Sequence, residues 1–423
     1  MYERYTAALN APVSGERLAA VGALKRMHEA GALAAPPVTG HVNNHIHTKY
    51  SFSPYSPAMA AYRAWACGLA TAGIMDHDSI AGAEEFIEAG AVLGLPVTAG
   101  FECRSDFSGT PFKDKRINNP DQRGVAYLTM HGVPRSQIRK AQAFLGPCRV
   151  KRNIRNRAMI DKLNAGSFAG IRLDFETEVL PLSYCHDGGG VTERHILFAY
   201  AKKIIETAGR GQALINFLRE QFDVTVADGN LSRLMDADNA YYDYFLLNLL
   251  KGELVGYFYT DADEELINVN DFIRLAEETG AIPAYAYLGD VGDSVTGDKK
   301  TQTFEDGYLD ELMDYLVKTG FKALTFMPTR NTKQQLKRVM DLCERHGLFQ
   351  ISGEDINSPF QPFICEALAL PEYQHLKASA FALIGHEKAA DTPGQAGMFD
   401  KKTVSAMPSL NERVAYFAEI GKK

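Results

Sequence analysis

Cysteine is sparse and unpatterned: Cys67, Cys103, Cys148, Cys185, Cys343 and Cys365 are the six in 423 residues, and no two form a CxxC pair. That spacing fits neither a zinc ribbon nor a disulfide framework, and the expected compartment is a reducing cytoplasm. Long apolar runs are missing too. No stretch approaches the roughly 20 apolar residues that cross a bilayer, and residues 1–20 hold no run of signal-peptide length, so a soluble chain without membrane partners is expected. Positive charge is in deficit, with a net charge of −7, which argues against extended nucleic-acid binding as the main task. Internal repeats and low-complexity segments are absent. With 46% hydrophobic residues, the chain can build one large barrel plus an insertion, or two domains.

What is present concentrates in three short stretches. HVNNHIHTKYSFSP, ATAGIMDHDS and VTAGFE put His45, His47, His77 and Glu102 at the ends of strand-like apolar runs at 40–42, 73–75 and 96–99. Helical stretches at 57–69 and 81–93 follow the first two, the grammar of repeated βα units. In such units the strand C-termini face one mouth, so the four side chains are expected to converge there. Alternation in His45-Ile46-His47 aims both imidazoles to one side of an extended chain, as a two-point grip on a metal ion requires. Taken alone, any one of these histidines could be a hydrogen-bonded structural residue; the combination favours metal binding. The same alternation turns Cys103 away from Glu102, as a buried thiol.

HIHTKYS, MDHDS and GFE resemble the first three motifs of the PHP (polymerase and histidinol phosphatase) family of metal-dependent phosphoesterases. Tyr127-Leu128-Thr129-Met130-His131-Gly132 resembles the next segment, an apolar strand ending in a ligand histidine. Ile351-Ser352-Gly353-Glu354-Asp355-Ile356-Asn357 resembles the last, where family members commonly read Gly-Ser-Asp-x-His. The resemblance covers about residues 40–134 and 270–360. It implies an α/β fold, a distorted (β/α)7 TIM-like barrel with a cluster of up to three metal ions. The sequence also departs from the pattern. Phe52, Ser53 and Pro54 stand where the family often has an acidic residue or histidine, the Ala-His-Pro motif reads Ala286-Tyr287-Leu288, and the final histidine is Asn357.

The implied ligand set is His45, His47, His77, Glu102, His131 and Asp355, with Glu102 as a bridging carboxylate and Asn357 as a weaker carbonyl donor. One or two divalent ions are expected, Mn²⁺, Zn²⁺ or Fe, three being the family's upper number. The implied reaction is hydrolysis of a small anionic phosphate ester by metal-activated water, with Arg330 stabilising the developing charge and Asp76 orienting a ligand or relaying a proton. Tyr287, Arg330 and Asn331 are substrate-binding candidates. Two alternatives stay open: metal-dependent hydrolysis of another bond, as in an amidohydrolase, or a non-catalytic metal- or ligand-binding protein with a degenerate site.

The expected organisation is an N-terminal helical segment at 1–38, containing a helix at 14–31, then the first part of the barrel at 39–134. A helical insertion or cap follows at 135–269, and the second part of the barrel with a C-terminal segment at 270–423. Residues 135–157 carry Arg135, Arg139, Lys140, Arg149, Lys151, Arg152, Arg155 and Arg157 without an acid. Arg152 and Arg155 would steer an anionic substrate if they border the mouth; a solvated helical face is the other reading. His195 projects with Lys202 and Glu206 onto a polar, solvent-facing side, and His186 is a further candidate. Later, 323–327 reads as a strand, 332–346 as a helix and 348–351 as the next strand. That puts Arg330 and Asn331 in a loop on the metal side, where Arg330 grips phosphate or pairs with a carboxylate. His346 reads as structural, and His386 as a replacement for a lost ligand.

Overall fold

The structure, a computed structural model, describes residues 1–166, 170–292 and 302–423. Its centre is a sheet of β1 (Val42–Ile46), β2 (Thr71–His77), β3 (Val97–Asp106), β4 (Val125–His131), β6 (Ile282–Ala286), β7 (Ala323–Phe326) and β8 (Phe349–Ser352) in that spatial order. The two-residue β5 (Ile267–Asn268) pairs with the far end of β3. A parallel bridge between Ile46 and Ile356 brings the last strand back beside the first, and Asn44 Nδ2 donates to the Ser352 carbonyl at 2.8 Å. The sheet is therefore a nearly closed, seven-stranded barrel, as the sequence implies. Gly353 permits that closure: a Cβ there would lie 2.7 Å from the His45 Cβ.

Two strand expectations need correction. β1 starts later than 40–42 and runs through His45, because Asn43 and Asn44 are buried strand residues whose amides bond across to the 352–363 segment. Polar side chains hid that strand from an apolar-run reading. β3 continues ten residues to Asp106, so Glu102 stands mid-strand rather than at an end. β4 also breaks the repeated pattern, pairing antiparallel with both β3 and β6. The link between β3 and β4, 107–124, contains no crossover helix, and without one the chain can only return antiparallel.

Apolar side chains form three clusters. The largest packs strands against the helices Ser14–Glu29, Pro57–Ala66 and Ala83–Leu93. A second belongs to the helices Ile138–Ala165, Glu193–Ala208, Gln212–Phe222, Asp228–Met235 and Tyr242–Phe258, and takes in Phe52 from the loop after β1. A third seats helices Gln374–Ala390 and Leu410–Lys422 over Ile282, Ala323 and Phe349, at the starts of β6, β7 and β8. Among the described residues no helix is long and apolar enough to cross a membrane.

Candidate metal centre

β1, β2, β3 and the turn after β8 deliver the polar cluster. His45 Nε2 lies 3.3 Å from Glu102 Oε2, and His77 Nδ1 lies 3.0 Å from Glu102 Oε1. His47 Nε2 lies 3.1 Å from Asp355 Oδ1. The His47 and His77 rings stack at 4.6 Å between centroids. Donor atoms of His45, His47 and Asp355 all fall within 4.8 Å of one another. His77 and Asp355 are the partly exposed members, their side chains 26% and 39% accessible, and they mark where the cluster opens.

Asp76 sets the state of His47. Its Oδ1 accepts from Thr48 N at 2.6 Å and Ser51 Oγ at 2.7 Å, and its Oδ2 accepts from Thr48 Oγ1 at 2.6 Å. Because Ser51 gives its proton to Asp76, it can only accept from His47 Nδ1–H, 3.2 Å away. The tautomer that results has its lone pair on Nε2. That nitrogen is buried and makes no hydrogen bond among the described residues, yet it faces a carboxylate. Burial holds the His47 pKa below its ordinary value despite Asp355, so the ring is neutral near pH 7. Two lone pairs facing each other at 3.1 Å call for a cation between them. His131 Nε2 is likewise buried without a hydrogen-bond partner among the described residues, burial lowers its pKa to about 3, and its electrostatic neighbours are His45 and Glu102. Burial alone would raise Glu102 and Asp355, but the adjacent histidines hold both below the usual carboxylate range. Neutral imidazoles at His47 and His131 and ionised carboxylates at Glu102 and Asp355 are the donor states that divalent metal binding needs. Glu102 holds the His45 pKa above its ordinary value despite burial, so His45 would release its proton as a metal binds. The residues present fit such an ion.

The remaining expected site residues have other partners. Asn357 Nδ2 donates to Asp355 Oδ1 at 2.7 Å and its Oδ1 accepts from Ser358 Oγ at 3.1 Å, so Asn357 orients the carboxylate while its carbonyl is already engaged. Asp76 is fully buried and saturated by Thr48 and Ser51, which suits it to orienting His47 rather than relaying a proton. Tyr287 is 2% exposed and donates to Asp306 Oδ1 at 2.5 Å, so its hydroxyl faces no solvent. Arg330 Nε and Asn331 Nδ2 both donate to the Leu288 carbonyl, at 3.4 and 2.7 Å, tying the loops after β6 and β7 together.

Arg152 and Arg155 were expected at the surface and are instead 4% and 7% exposed. Arg152 pairs with Asp78 and with Glu193 (3.1 Å); Arg155 pairs with Glu193 and Glu265, each at 2.5 Å. Acids distant in sequence neutralise them, so neither steering nor a solvated face describes them. His195 is also buried rather than solvent-facing: its Nδ1 accepts from Thr192 N at 2.9 Å in a capping box. Burial takes its pKa down to about 3. His386 Nδ1 accepts from Met398 N at 2.8 Å, on the helix under the barrel, and its ring packs against Gly132 and Gly397. Ser51 and Arg104 went unnoticed in the sequence. A signal for Arg104 was available, since it lies two residues beyond Glu102 on one strand and so shares its face.

No family model and no curated protein matches the chain. Solved structures do. A protein from Bifidobacterium adolescentis, assigned provisionally as a metal-dependent phosphoesterase, superposes with a TM-score of 0.52 at 17% identity, over 78% of this chain and 92% of its own. An amidohydrolase from Chromobacterium violaceum, solved with sulfate and no metal, gives 0.50 at 17% identity, over 80% of this chain and 96% of its own. Both likenesses are of fold.

Proposed function

We propose that this chain is a metal-dependent hydrolase of the PHP type, acting on phosphate esters of small molecules. The observation that carries the reading is the buried His47 Nε2, fixed as a lone-pair donor by Ser51 and Asp76 and aimed at Asp355. His45, His47, Asp355 and Glu102 would hold one or two divalent ions, with His77 and His131 completing the set. When bound, the ions supply a lowered water pKa and neutralise charge developing on the phosphoryl oxygens.

The chain's own groups do the rest. Glu102 spans His45 and His77 with its two oxygens and keeps both rings in register. Asn357 and the Asp76–Ser51 pair fix the orientation of Asp355 and His47, so the donors are set before substrate arrives. The helices from 138 to 258 act as a cap, reaching the barrel where Arg194 Nη2 donates to Ser358 Oγ at 3.3 Å and Phe245 stacks on Phe360 at 5.0 Å. Amide hydrolysis is the second reading, favoured by the likeness to an amidohydrolase. Chelator-stripped protein, reconstituted with Mn²⁺, Zn²⁺ or Fe²⁺ and assayed on phosphomonoester, phosphodiester and amide panels, separates the two. Phosphomonoester turnover that depends on added metal is expected; turnover of amides alone selects the second reading. No turnover with any metal points to a binding protein.

A further inference from the structure

Arg104 follows Glu102 by two residues on β3, so its side chain leaves the same face about 7 Å nearer the mouth. It is 5% exposed. Its Nε donates to Tyr127 Oη at 3.2 Å and its Nη2 pairs with Glu193 Oε1 at 2.8 Å, but its Nη1 is buried with no hydrogen-bond partner among the described residues. Tyr127, on β4, shares a face with Thr129 and His131, and its ring centroid lies 6.1 Å from that of His77. Tyr259 directly follows helix Tyr242–Phe258 and has Arg104, Glu193 and Tyr127 as electrostatic neighbours. Arg155 lies 5.6 Å over its ring, and Arg155 and Arg104 share Glu193 Oε1. Tyr259 Oη is buried and also lacks a hydrogen-bond partner among the described residues.

Two buried donors without acceptors, a guanidinium N–H and a phenol O–H, therefore stand beside the proposed ligand layer. Each such group is costly to bury when nothing accepts from it. Burial raises both phenols, so they are protonated donors at neutral pH. Tyr127 accepts from Arg104 and still has its own proton to give. The carboxylates near the group are Glu193, which already takes three arginines, and Asp121, which acts on both phenols, yet among the described residues neither Arg104 Nη1 nor Tyr259 Oη finds an acceptor. What the group lacks is an oxygen with lone pairs.

We infer that Arg104, Tyr127 and Tyr259 form an oxyanion subsite that takes a non-reacting oxygen of the substrate's phosphoryl group, with Tyr259 supplied by the cap. Glu193 offsets much of the arginine charge, so the subsite reads oxygen position by directed hydrogen bonds more than it attracts charge at long range. The identity of the ligand rests on the phosphate-ester reading above; the presence of an oxyanion subsite does not.

The test uses inorganic phosphate as the probe, titrated calorimetrically into metal-loaded full-length protein, with bound metal counted in the same samples. Tyr259→Phe keeps the ring and removes only the hydroxyl; Arg104→Lys keeps the charge and loses the fork; exposed Tyr257→Phe is the control. Phosphate binding about tenfold weaker in Tyr259→Phe and at least as weak in Arg104→Lys is expected, with metal content and the control unchanged. If Arg104→Lys does not fold, Tyr259→Phe decides alone. Wild-type phosphate affinity in Tyr259→Phe, or no phosphate binding by the metal-loaded wild type, overturns the subsite. In the first of these cases, phosphomonoester turnover by the wild type leaves the proposed function standing. Weakened phosphate binding in the variants, with no phosphomonoester turnover by the wild type, supports the subsite and removes the function.

Discussion

His47 shows how a single side chain acquires its chemical state from residues that the sequence does not mark. Alternation in His45-Ile46-His47 is readable, and it gives the direction of both rings. The tautomer is not readable, because it depends on Ser51 and on Asp76, 25 positions further along. Replacing Ser51 with Ala removes the acceptor for His47 Nδ1–H without touching a donor to metal. Metal binding should weaken by about ten- to hundredfold, as for other groups that orient ligands. Isothermal titration with Mn²⁺ or Zn²⁺ measures this, and an unchanged affinity would show that Ser51 does not fix the ring. Asn357 makes a parallel case. The motif position suggested a ligand, but the hydrogen bonds make it a brace for Asp355. Asn357→Ala should therefore lower metal affinity less than Asp355→Ala does; equal losses would return Asn357 to the ligand set. Arg152 and Arg155 were misread for a related reason. A run of basic residues looks unpaired when Asp78, Glu193 and Glu265 lie 74, 41 and 110 positions away from their partners.

At the scale of elements, apolar periodicity located most of the scaffold. Helices at Pro57–Ala66, Ala83–Leu93 and Lys333–His346 fall where their spacing puts them. Direction was the weak point: nothing in YLTMHG states that β4 runs against its neighbours, since an apolar strand reads the same either way. The contact between helices Gln374–Ala390 and Leu410–Lys422 was also invisible, because it depends on two glycines 36 positions apart. A Cβ on Gly385 would stand 1.8 Å from the Phe417 carbonyl oxygen, and one on Gly421 1.9 Å from that of Phe381. Gly385→Ala must push the helices apart, and a loss of roughly 1–3 kcal/mol or more is expected from denaturant unfolding; a neutral result would mean the pair is not close-packed.

The same helix carries a pH dependence. Glu387 Oε1 accepts from Thr98 Oγ1 and from Ala99 N at 2.9 Å, and burial pushes its carboxyl from 4.5 up to about 8. The folded chain keeps a proton that the unfolded chain releases above 4.5, so stability from this group is full at low pH and is lost as pH rises from there to about 8. Glu387→Gln, neutral throughout, should flatten that decline. Urea midpoints followed from about pH 5 to about pH 8 check it, and parallel wild-type and variant curves would contradict it.

Across the whole molecule, a barrel supplies the donors and a helical layer with its own apolar cluster stands over one part of it. Phe52 joins the two. It occupies a position where the resemblance led one to look for a ligand, and it is instead 5% exposed within the helical cluster, edge-on to His195 at 5.0 Å. The loss of one expected donor there has a packing reason. Because the proposed ligands come from strands at opposite ends of the sheet order, an ion bound among them should resist unfolding of the barrel as a unit. Free metal at about 100 times its dissociation constant should add about 2.7 kcal/mol of stability.

The central claim is that His45, His47, Asp355 and Glu102 bind divalent metal, and metal counting tests it most directly. Protein purified without chelator and analysed by mass spectrometry for Mn, Fe and Zn should carry one or two ions per chain. Chelation should remove them, and His47→Ala and Asp355→Ala should each lower the content well below wild type while circular dichroism stays unchanged. Wild-type protein that holds no metal before or after reconstitution, or folded variants that retain the full content, would contradict the account.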